Sequence, residues 1–391
     1  MVAMGAALVL GAAACGSSGK SSGSGSSSSG KEILIGGIVA ETGTAPYEGA
    51  NEAISAYFNQ LNAAGGINGY TVKYKGYDST GSAQTNAALM SKLVGQHAAA
   101  VIVEDPQGAP GGYQVAERAG VPVIGGYAYP ALYQSPTLYP VASFFAGSQT
   151  KVMFQVMHDE GVTKIALLTI NVPVGVETVK AYTAQAGKYG LKIVSSGLYA
   201  PTQTDFTGYA SKAVSAGAQA VFQIGGYTQG IAVAKALEQQ NSSAKLVFAA
   251  GYNTSIARQV GSWGNGKVFS GTPLLTLPMR SKVQQALKTA GYSKVDASSG
   301  FVSLGWSDAE IATEGVRLLG SNTPKAANMV KALDSISGFK GTFTPSPLTY
   351  GSGPHTNPSQ CVQIQEMENG VLGLYKGKPS VCFTGSVAPT S

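Results

Sequence analysis

A strand–helix–strand unit over residues 33–80 constrains the fold more than any other feature of the sequence. Ile33–Val39 is a short apolar run between polar residues, which is typical of a strand buried on both faces of a parallel sheet. From Ala50 onward, apolar residues recur with the spacing of one helix face, and an Ala-Gly-Gly triplet predicts the end of that helix. Thr71–Tyr77 then predicts a second strand. The unit therefore predicts a parallel α/β sheet.

Strand and helix patterns alternate along most of the remaining chain, in one block before and one block after about residue 147. Such alternation predicts one or two doubly wound parallel sheets. A chain of 391 residues is long enough for two lobes, and its 44% hydrophobic and 12% charged residues exclude a disordered protein. The predicted fold class is α/β, with two doubly wound parallel-sheet lobes joined by a hinge.

The composition excludes several functions. The net charge of +6 is spread thinly and forms no basic patch with interleaved aromatic residues, which argues against a nucleic-acid partner. The three histidines, His97, His158 and His355, belong to no nucleophile–base motif, and no Cys/His cluster has the spacing of metal ligands. The sequence therefore predicts a protein that is not an enzyme and that needs neither a cofactor nor a metal.

The amino-terminal residues predict export and membrane attachment. Residues 1–15 form a small, apolar stretch that suits a signal peptide and is shorter than the roughly 20 residues of a membrane span. Its end, three alanines before Cys15, resembles the bacterial lipobox, which implies that Cys15 carries a lipid anchor. Residues 16–30 are a Ser/Gly-rich tether. The predicted location is extracytoplasmic, with a lipid anchor in the cell membrane.

The remaining two cysteines, Cys361 and Cys382, flank a predicted hairpin formed by Cys361–Met367 and Val371–Tyr375. Disulfides form and persist in exported proteins. We therefore predict a disulfide between these two residues.

The opening unit also carries a family resemblance. Its first strand, the Thr-Gly-Thr loop with a nearby tyrosine, the amphipathic helix, the segment NAAGGING and a strand ending in YDST resemble the Leu/Ile/Val-binding protein family. These are the substrate-binding proteins of branched-chain amino acid ABC importers, and the resemblance runs from about Lys31 to the carboxyl terminus. It implies a type I periplasmic-binding fold, with residues 31–146 plus 273–345 in lobe 1 and residues 147–272 plus 346–385 in lobe 2.

Loops that follow the predicted strands suggest where a ligand binds. The carboxyl ends of parallel strands share one sheet edge, so these loops would rim a cleft between the lobes. Tyrosines recur in them, and each offers an apolar face and one hydroxyl group to a small organic molecule. The predicted ligand-binding residues are Thr42, Tyr47, Asp105, Gln107, Tyr127, Ala128, Tyr129, Tyr227 and Tyr252.

The resemblance also indicates that the ligand differs from a branched-chain amino acid. The family's Gly-Gly-Tyr motif is intact and ends at Tyr227. However, the positions that grip the amino acid's carboxylate and ammonium groups align with Gln107, with the segment 127–129 and with Tyr252. We therefore expect a neutral or singly charged ligand with a flat or apolar part. Glu41, Glu104 or Asp105 could receive a cation.

Together these features predict an extracytoplasmic solute-binding lipoprotein. It would deliver a small organic ligand, an amino acid or a related compound, to an ABC permease in the membrane by hinge closure. Two alternatives remain open from the sequence. One is a ligand-sensing lipoprotein of the same fold that signals to a membrane receptor. The other is an extracellular hydrolase, which the missing nucleophile–base constellation opposes.

Overall fold

The computed structural model describes residues 31–43, 46–125, 134–141, 148–248, 255–272, 274–276, 280–355 and 359–385. Residues 31–391 form one compact unit, which contains two β-sheets. Within the described residues, no helix combines the length and the apolar character needed to cross a membrane.

The first sheet, sheet A, has five parallel strands in the order β2-β1-β3-β4-β5. Its strands are β1 (Lys31–Val39), β2 (Tyr70–Asp78), β3 (Ala100–Glu104), β4 (Val123–Gly125) and β5 (Leu138–Tyr139). Parallel strands need crossover connections, and each connection from β1 to β4 is a helix: α1 (Ala50–Ala63), α2 (Ala83–Gly95) and α3 (Ala109–Ala119). The central strands β1 and β3 are almost fully buried, as the apolar runs in the sequence predict.

Both faces of sheet A are covered by helices. On one face, Met90 of α2 and Tyr113 of α3 pack in a cluster with alternate β3 residues. On the other face lie α1 and three helices from much later in the chain, α9 (Arg280–Thr289), α10 (Gly300–Leu318) and α11 (Ala326–Asp334). Tyr57 of α1 meets Trp306 of α10 edge to face, with 5.1 Å between the ring centroids. The later helices thus complete the layer structure of the first sheet.

The second sheet, sheet B, has strands in the order β12-β11-β10-β9-β8-β6-β7, with β13 paired to β11. Its parallel strands are β6 (Lys164–Ile170), β7 (Lys192–Tyr199), β8 (Ala220–Ile224), β9 (Lys245–Phe248) and β10 (Val268–Thr272). Its antiparallel strands are β11 (Cys361–Glu368), β12 (Val371–Leu374) and β13 (Val381–Cys382). The sheet is therefore mixed, with the predicted hairpin at one edge.

Helices again cover both faces of sheet B. The helices that accompany its strands are α4 (Ser148–Asp159), α5 (Pro173–Ala186), α6 (Thr207–Ser215), α7 (Tyr227–Gln239) and α8 (Ser255–Val260). Phe154 of α4 and Tyr182 of α5 pack against Phe222 on one face. Leu237 of α7 lies on the other face with Val221. The predicted α/β fold with two lobes is confirmed, and sheet A is parallel as predicted. Sheet B differs from the prediction because β11, β12 and β13 add antiparallel strands to its parallel part.

The two cysteines of the hairpin region are joined by a disulfide, as predicted. Cys361 begins β11 and Cys382 ends β13, and the two residues stand opposite each other in the antiparallel pairing. The bond therefore attaches the last described strand to the hairpin of sheet B. Among the described strands, the short β5 and β13 are the ones that the sequence patterns do not predict.

Candidate functional site

The loop after β1 begins with a carboxyl group that holds the start of α1. Glu41 accepts hydrogen bonds from the backbone N–H groups of Gly49 (3.1 Å) and Asn51 (2.7 Å). Free N–H groups and the helix dipole favour an acid at this position. Burial nevertheless raises the pKa of Glu41 to about 7, and the nearby negative charge of Glu52 adds to the increase. Glu41 is thus a carboxyl group that gains or loses a proton near neutral pH.

Thr42 is the first of the predicted ligand-binding residues in this loop, and it is exposed. Its hydroxyl group donates a hydrogen bond of 2.6 Å to Asp78 at the end of β2, and Asp78 also accepts from the backbone N–H of Thr80. Burial alone would raise the pKa of Asp78, but these hydrogen bonds outweigh it and lower the pKa. Thr42 therefore ties two strand ends together, and its contact with a ligand stays a prediction.

Tyr47, the second predicted residue of the loop, is buried. Its ring stacks on Phe301 of α10, with 4.1 Å between the centroids and 25° between the planes. Stacking of this kind contributes beyond the apolar area that it buries. Tyr47 therefore packs against Phe301, which lines the cavity described below. A direct contact of Tyr47 with a ligand stays a prediction.

The loop after β3 contains Asp105 and Gln107. Asp105 is fully buried and accepts hydrogen bonds from the side chain of Asn86 (2.8 Å) and the backbone N–H groups of Gln107 (3.2 Å) and Gly108 (2.6 Å). Its carboxylate therefore organises the start of α3. Gln107 is half-buried beside Gly81, at the sheet edge where the sequence predicts the cleft.

Glu104, the last residue of β3, lies against Asp308 of α10. Both side chains are buried, and a Cβ atom placed on Gly125 would be 2.7 Å from an oxygen of each carboxyl group. Burial raises the pKa of Asp308 to about 7, although its hydrogen bond with Glu104 acts in the opposite direction. Because both carboxyl groups lie next to Gly125, the pair is buried in sheet A's half of the molecule at the end of β4.

In sheet B's half, the Gly-Gly-Tyr motif follows β8. A side chain at Gly225 would collide with the hydroxyl group of Tyr199, which donates to the carbonyl oxygen of Ile224 at 2.9 Å. The close approach of the Tyr199 hydroxyl group explains why residue 225 is a glycine. Tyr227 is the first residue of α7, and it is half-buried. The motif thus places a tyrosine ring at the carboxyl edge of sheet B.

A cavity of about 390 Å³ brings residues from both halves together. Tyr227 contributes from sheet B's half. The other described lining residues come from the β1–α1 loop, from α1 and from the segment that precedes and begins α10. The lining residues are Glu41, Pro46, Glu48, Gly49, Glu52, Tyr227, Lys294, Val295, Asp296, Ser299 and Phe301. Of the predicted ligand-binding residues, the cavity includes Tyr227; of the predicted cation receivers, it includes Glu41.

The cavity wall after α9 is held in place by polar contacts. Gln284 of α9 donates to the carbonyl oxygen of Val295 (2.8 Å) and accepts from the N–H of Ala297 (3.0 Å). Ser299 caps α10 by accepting from the N–H of Phe301 at 3.3 Å. These bonds fix Val295, Ser299 and Phe301 on one side of the cavity. The segment is therefore preorganised, which lowers the ordering cost of binding.

Carboxyl groups dominate the charge of the cavity. Among the described residues that line it, Glu41, Glu48, Glu52 and Asp296 carry carboxyl groups and Lys294 carries the one ammonium group. Asp296 is partly neutralised by Arg280 at 3.4 Å. One oxygen of Glu52 is buried and, in the described part of the chain, has no hydrogen-bond partner. The cavity therefore combines excess negative charge with the rings of Tyr227 and Phe301.

Four predicted ligand-binding residues, Tyr127, Ala128, Tyr129 and Tyr252, lie outside the described residues, as does the predicted lipid anchor Cys15. Sequence reasoning missed Phe301, Lys294 and Asp296. Their segment follows a helix rather than a strand of a βα unit, so the strand-end rule gives no signal for it. Across the described ranges, no group of three or more His, Cys, Asp or Glu residues could hold a metal ion.

Comparison with known proteins identifies related sequences and folds. A family model described as periplasmic binding protein matches residues 32–371. None of the curated proteins compared with the chain matches it. Three solved structures are similar over most of their length.

The first is a branched chain amino acid ABC transporter from Thermus thermophilus with bound valine (TM-score 0.77, 14% identity, 88% of this chain and 95% of that chain covered). The second is a branched-chain amino acid substrate-binding protein from Streptococcus pneumoniae in complex with isoleucine. Its TM-score is 0.71 at 18% identity, with 88% of this chain and 98% of that chain covered. The third is a solute-binding protein of an ABC transporter from R. palustris in complex with benzoate. Its TM-score is 0.71 at 18% identity, with 90% of this chain and 98% of that chain covered. At these identities the three structures show the shared two-lobed fold.

Proposed function

The chain belongs to the periplasmic binding protein family, and from that premise we propose that it is an extracytoplasmic solute-binding protein of an ABC importer. It would bind a small organic molecule in the cleft between its two halves and present it to a membrane permease. The family supports an extracytoplasmic location, and the predicted leader and Ser/Gly tether fit a protein anchored to the membrane through Cys15.

The observation that carries the proposal is the cavity that contains both Tyr227 and the β1–α1 loop. Tyr227 follows a strand of sheet B, and Glu41 follows a strand of sheet A. Ligands of open α/β sheets bind outside the carboxyl ends of strands. A ligand in this cavity would contact both halves at once, which is the contact needed for a ligand to favour a closed form.

Closure would follow from a difference in affinity between two states. A ligand shifts an equilibrium between open and closed forms only by the amount that it binds one form more tightly. We propose that residues 31–146 plus 273–345 move against residues 147–272 plus 346–385, with the hinge in the segments that connect them. The packing of α10 on sheet A and of α9 on α1, together with the pairing of β11 with β10 in sheet B, supports this division.

The lining of the cavity supports a ligand that is neutral or carries one positive charge. An ammonium group could pair with Glu41 or Glu52, and a flat part could lie on the rings of Tyr227 and Phe301. A negatively charged ligand would meet four carboxyl groups and one lysine in the described lining of the cavity, and like charges at close range are unfavourable. The chemistry of this cavity therefore favours amines over carboxylates.

Calorimetric titration of the purified protein with a panel of small metabolites tests the proposal. The panel should pair each amine with a carboxylate of similar size, so that charge and shape are varied separately. We expect one or more compounds of the amine or neutral groups to bind with a micromolar or lower dissociation constant. If no compound of a broad panel changes the heat signal or the thermal stability, the solute-binding proposal is contradicted.

The lipid anchor is tested separately in the native host. Replacing Cys15 by Ser should release the protein from the membrane fraction, because the thiol is the group that would carry the lipid. Unchanged membrane association of Cys15→Ser would contradict the anchor while leaving ligand binding untouched.

A further inference from the structure

Glu52 lies in the first turn of α1, and its side chain lines the cavity. It is the third residue of the helix, a position from which a glutamate ordinarily reaches back to the backbone N–H of the capping residue. Here the capping residue is Gly49, and its N–H donates to Glu41 at 3.1 Å instead. Glu41 also accepts from the N–H of Asn51 at 2.7 Å. Glu41 therefore occupies the donor that Glu52 would otherwise use.

The carboxylate of Glu52 has unused capacity to accept hydrogen bonds. One of its oxygens is buried and has no hydrogen-bond partner among the described residues. A buried acceptor without a partner is unfavourable, and more so when it is charged. None of the ion pairs in the described chain includes Glu52 or Lys294. Because the terminal torsion of a glutamate is broad and roughly two-fold, either oxygen can turn toward the cavity.

The other carboxyl groups in the described lining already have compensation. Glu41 accepts the two helix N–H groups given above. Asp296 pairs with Arg280 at 3.4 Å. Glu48 is exposed, so water solvates its charge. Of the four carboxyl groups, Glu52 therefore gains most from a donor that a ligand brings.

Aromatic rings in the same cavity attract a cation but do not select its hydrogen-bonding groups. Tyr227 and Phe301 both line the cavity, and Phe301 is held by its stacking on Tyr47. The face of an aromatic ring attracts quaternary ammonium groups, which have no N–H, as well as other cations. A preference for N–H donors must therefore come from an acceptor, and Glu52 provides one.

We propose that Glu52 determines the specificity of this cavity by selecting ligands whose ammonium group carries N–H donors. Such a group supplies both the positive charge and the hydrogen bonds that the carboxylate lacks, and charge-assisted hydrogen bonds are the stronger kind. A neutral hydroxyl group supplies a weaker hydrogen bond, and a quaternary ammonium group supplies charge without a donor. The inference rests on the proposed function, because it concerns a ligand held between the two halves.

Calorimetric titration of the full chain at pH 7 with three probes tests the selection. Benzylamine, benzyl alcohol and benzyltrimethylammonium share a flat ring and differ in the group that would meet the carboxylate. Benzylamine is protonated at this pH, and we expect it to bind about tenfold or more tightly than each of the other two. A smaller difference from either probe, or no binding of benzylamine, would overturn the proposal.

Two variants of the cavity locate the selection at Glu52. Glu52→Gln removes the charge with little change in shape, and it should weaken benzylamine binding by about tenfold or more while changing benzyl alcohol binding by no more than about twofold. Glu48→Gln removes an exposed charge from the same lining and should weaken benzylamine binding by about threefold or less. Equal losses in the two variants would mean that only the total charge matters, and would overturn the role of Glu52.

The comparison of the three probes on the wild type decides the selection even if Glu52→Gln fails to fold. The metabolite panel separates this inference from the proposed function. If benzylamine does not bind but another compound of the panel does, the ammonium selection is overturned and solute binding stands. If no compound of the panel binds, both are overturned.

Discussion

The carboxyl group of Asp308, in the middle of α10, lies against the carboxyl group of Glu104, the last residue of β3, and both side chains are buried. Two adjacent buried carboxyl groups cannot both ionise without a large loss of solvation and mutual repulsion. One of them therefore tends to keep its proton, and burial raises the pKa of Asp308 to about 7. The pair makes the stability of sheet A's half dependent on pH.

Replacing Asp308 by Asn should remove that dependence. The folded-state pKa of Asp308 lies above its ordinary value of 3.8, so its contribution to stability is full below about pH 4 and is lost as the pH rises to about 7. The free energy of unfolding of Asp308→Asn should therefore rise relative to the wild type between pH 5 and pH 8. Urea unfolding at both pH values measures it, with Asp205→Asn, at an exposed loop position, as the control. An equal difference at both pH values would contradict the raised pKa.

The pKa of Glu160 is shifted in the opposite direction to that of Asp308. Burial would raise its pKa, but hydrogen bonds from Tyr375 (2.6 Å), Lys376 (2.9 Å) and Lys245 (3.2 Å) outweigh burial and lower the pKa to about 2. Its contribution to stability is therefore present above about pH 4.5 and lost as the pH falls towards 2.

Glu160→Gln should lower the free energy of unfolding by about 1–2 kcal/mol at pH 7, because the network keeps its donors but loses the negative charge. The difference from the wild type should shrink towards pH 3. Glu177→Gln provides the control, since Glu177 and Lys180 form an exposed pair with little expected effect. Chemical unfolding at pH 7 and pH 3 measures both variants, and an equal loss at the two pH values would contradict the lowered pKa.

The disulfide should contribute measurably to stability. Cys361 and Cys382 are separated by 21 residues, and closing a loop of that size stabilises a protein by roughly 3 kcal/mol in the chain-entropy model. The Cys361→Ser/Cys382→Ser double variant should lose about that amount in urea unfolding. Reducing agent should destabilise the wild type and leave the double variant unchanged. Mass spectrometry that finds two free thiols in non-reduced peptides would contradict the bond.

Much of the fold could be predicted from sequence because its signals are local. The strand predicted at Ile33–Val39 is Lys31–Val39 in the structure, and the helix predicted from Ala50 begins there. Periodicity and glycine stops need only neighbouring residues to be read. By contrast, β5 has two residues, Leu138 and Tyr139, and two residues are too few to show a period.

The candidate site was less predictable because its walls come from distant parts of the chain. Tyr227 could be predicted, since it follows a strand in a recognisable Gly-Gly-Tyr motif. Phe301 could not, because it packs on Tyr47 from a helix more than two hundred residues later. Asp105 illustrates a different limit: its residue type suggests a ligand contact, but the fold gives its carboxylate three donors from the protein itself.

Branched-chain amino acids should bind weakly or not at all. Leucine, isoleucine and valine need partners for both a carboxylate and an ammonium group, and an unpaired buried charge costs several kcal/mol. The described lining of the cavity has four carboxyl groups and one lysine, so this part of the chain offers the ligand's carboxylate few donors and several like charges. Calorimetric titration of the wild type with the three amino acids measures the result. A micromolar dissociation constant would contradict this prediction.

Replacing Tyr227 by Ala should weaken binding of whichever compound the metabolite panel identifies, by tenfold or more. The ring faces the cavity from sheet B's half, so its loss removes both an apolar surface and the contact that couples the ligand to that half. Tyr209→Ala is the matched control, because Tyr209 is also half-buried on a helix of sheet B's half but does not line the cavity. Calorimetry on the two variants measures the difference. If the two variants bind the ligand with equal affinity, Tyr227 is not part of the binding site. The proposal that the protein binds a solute would still stand.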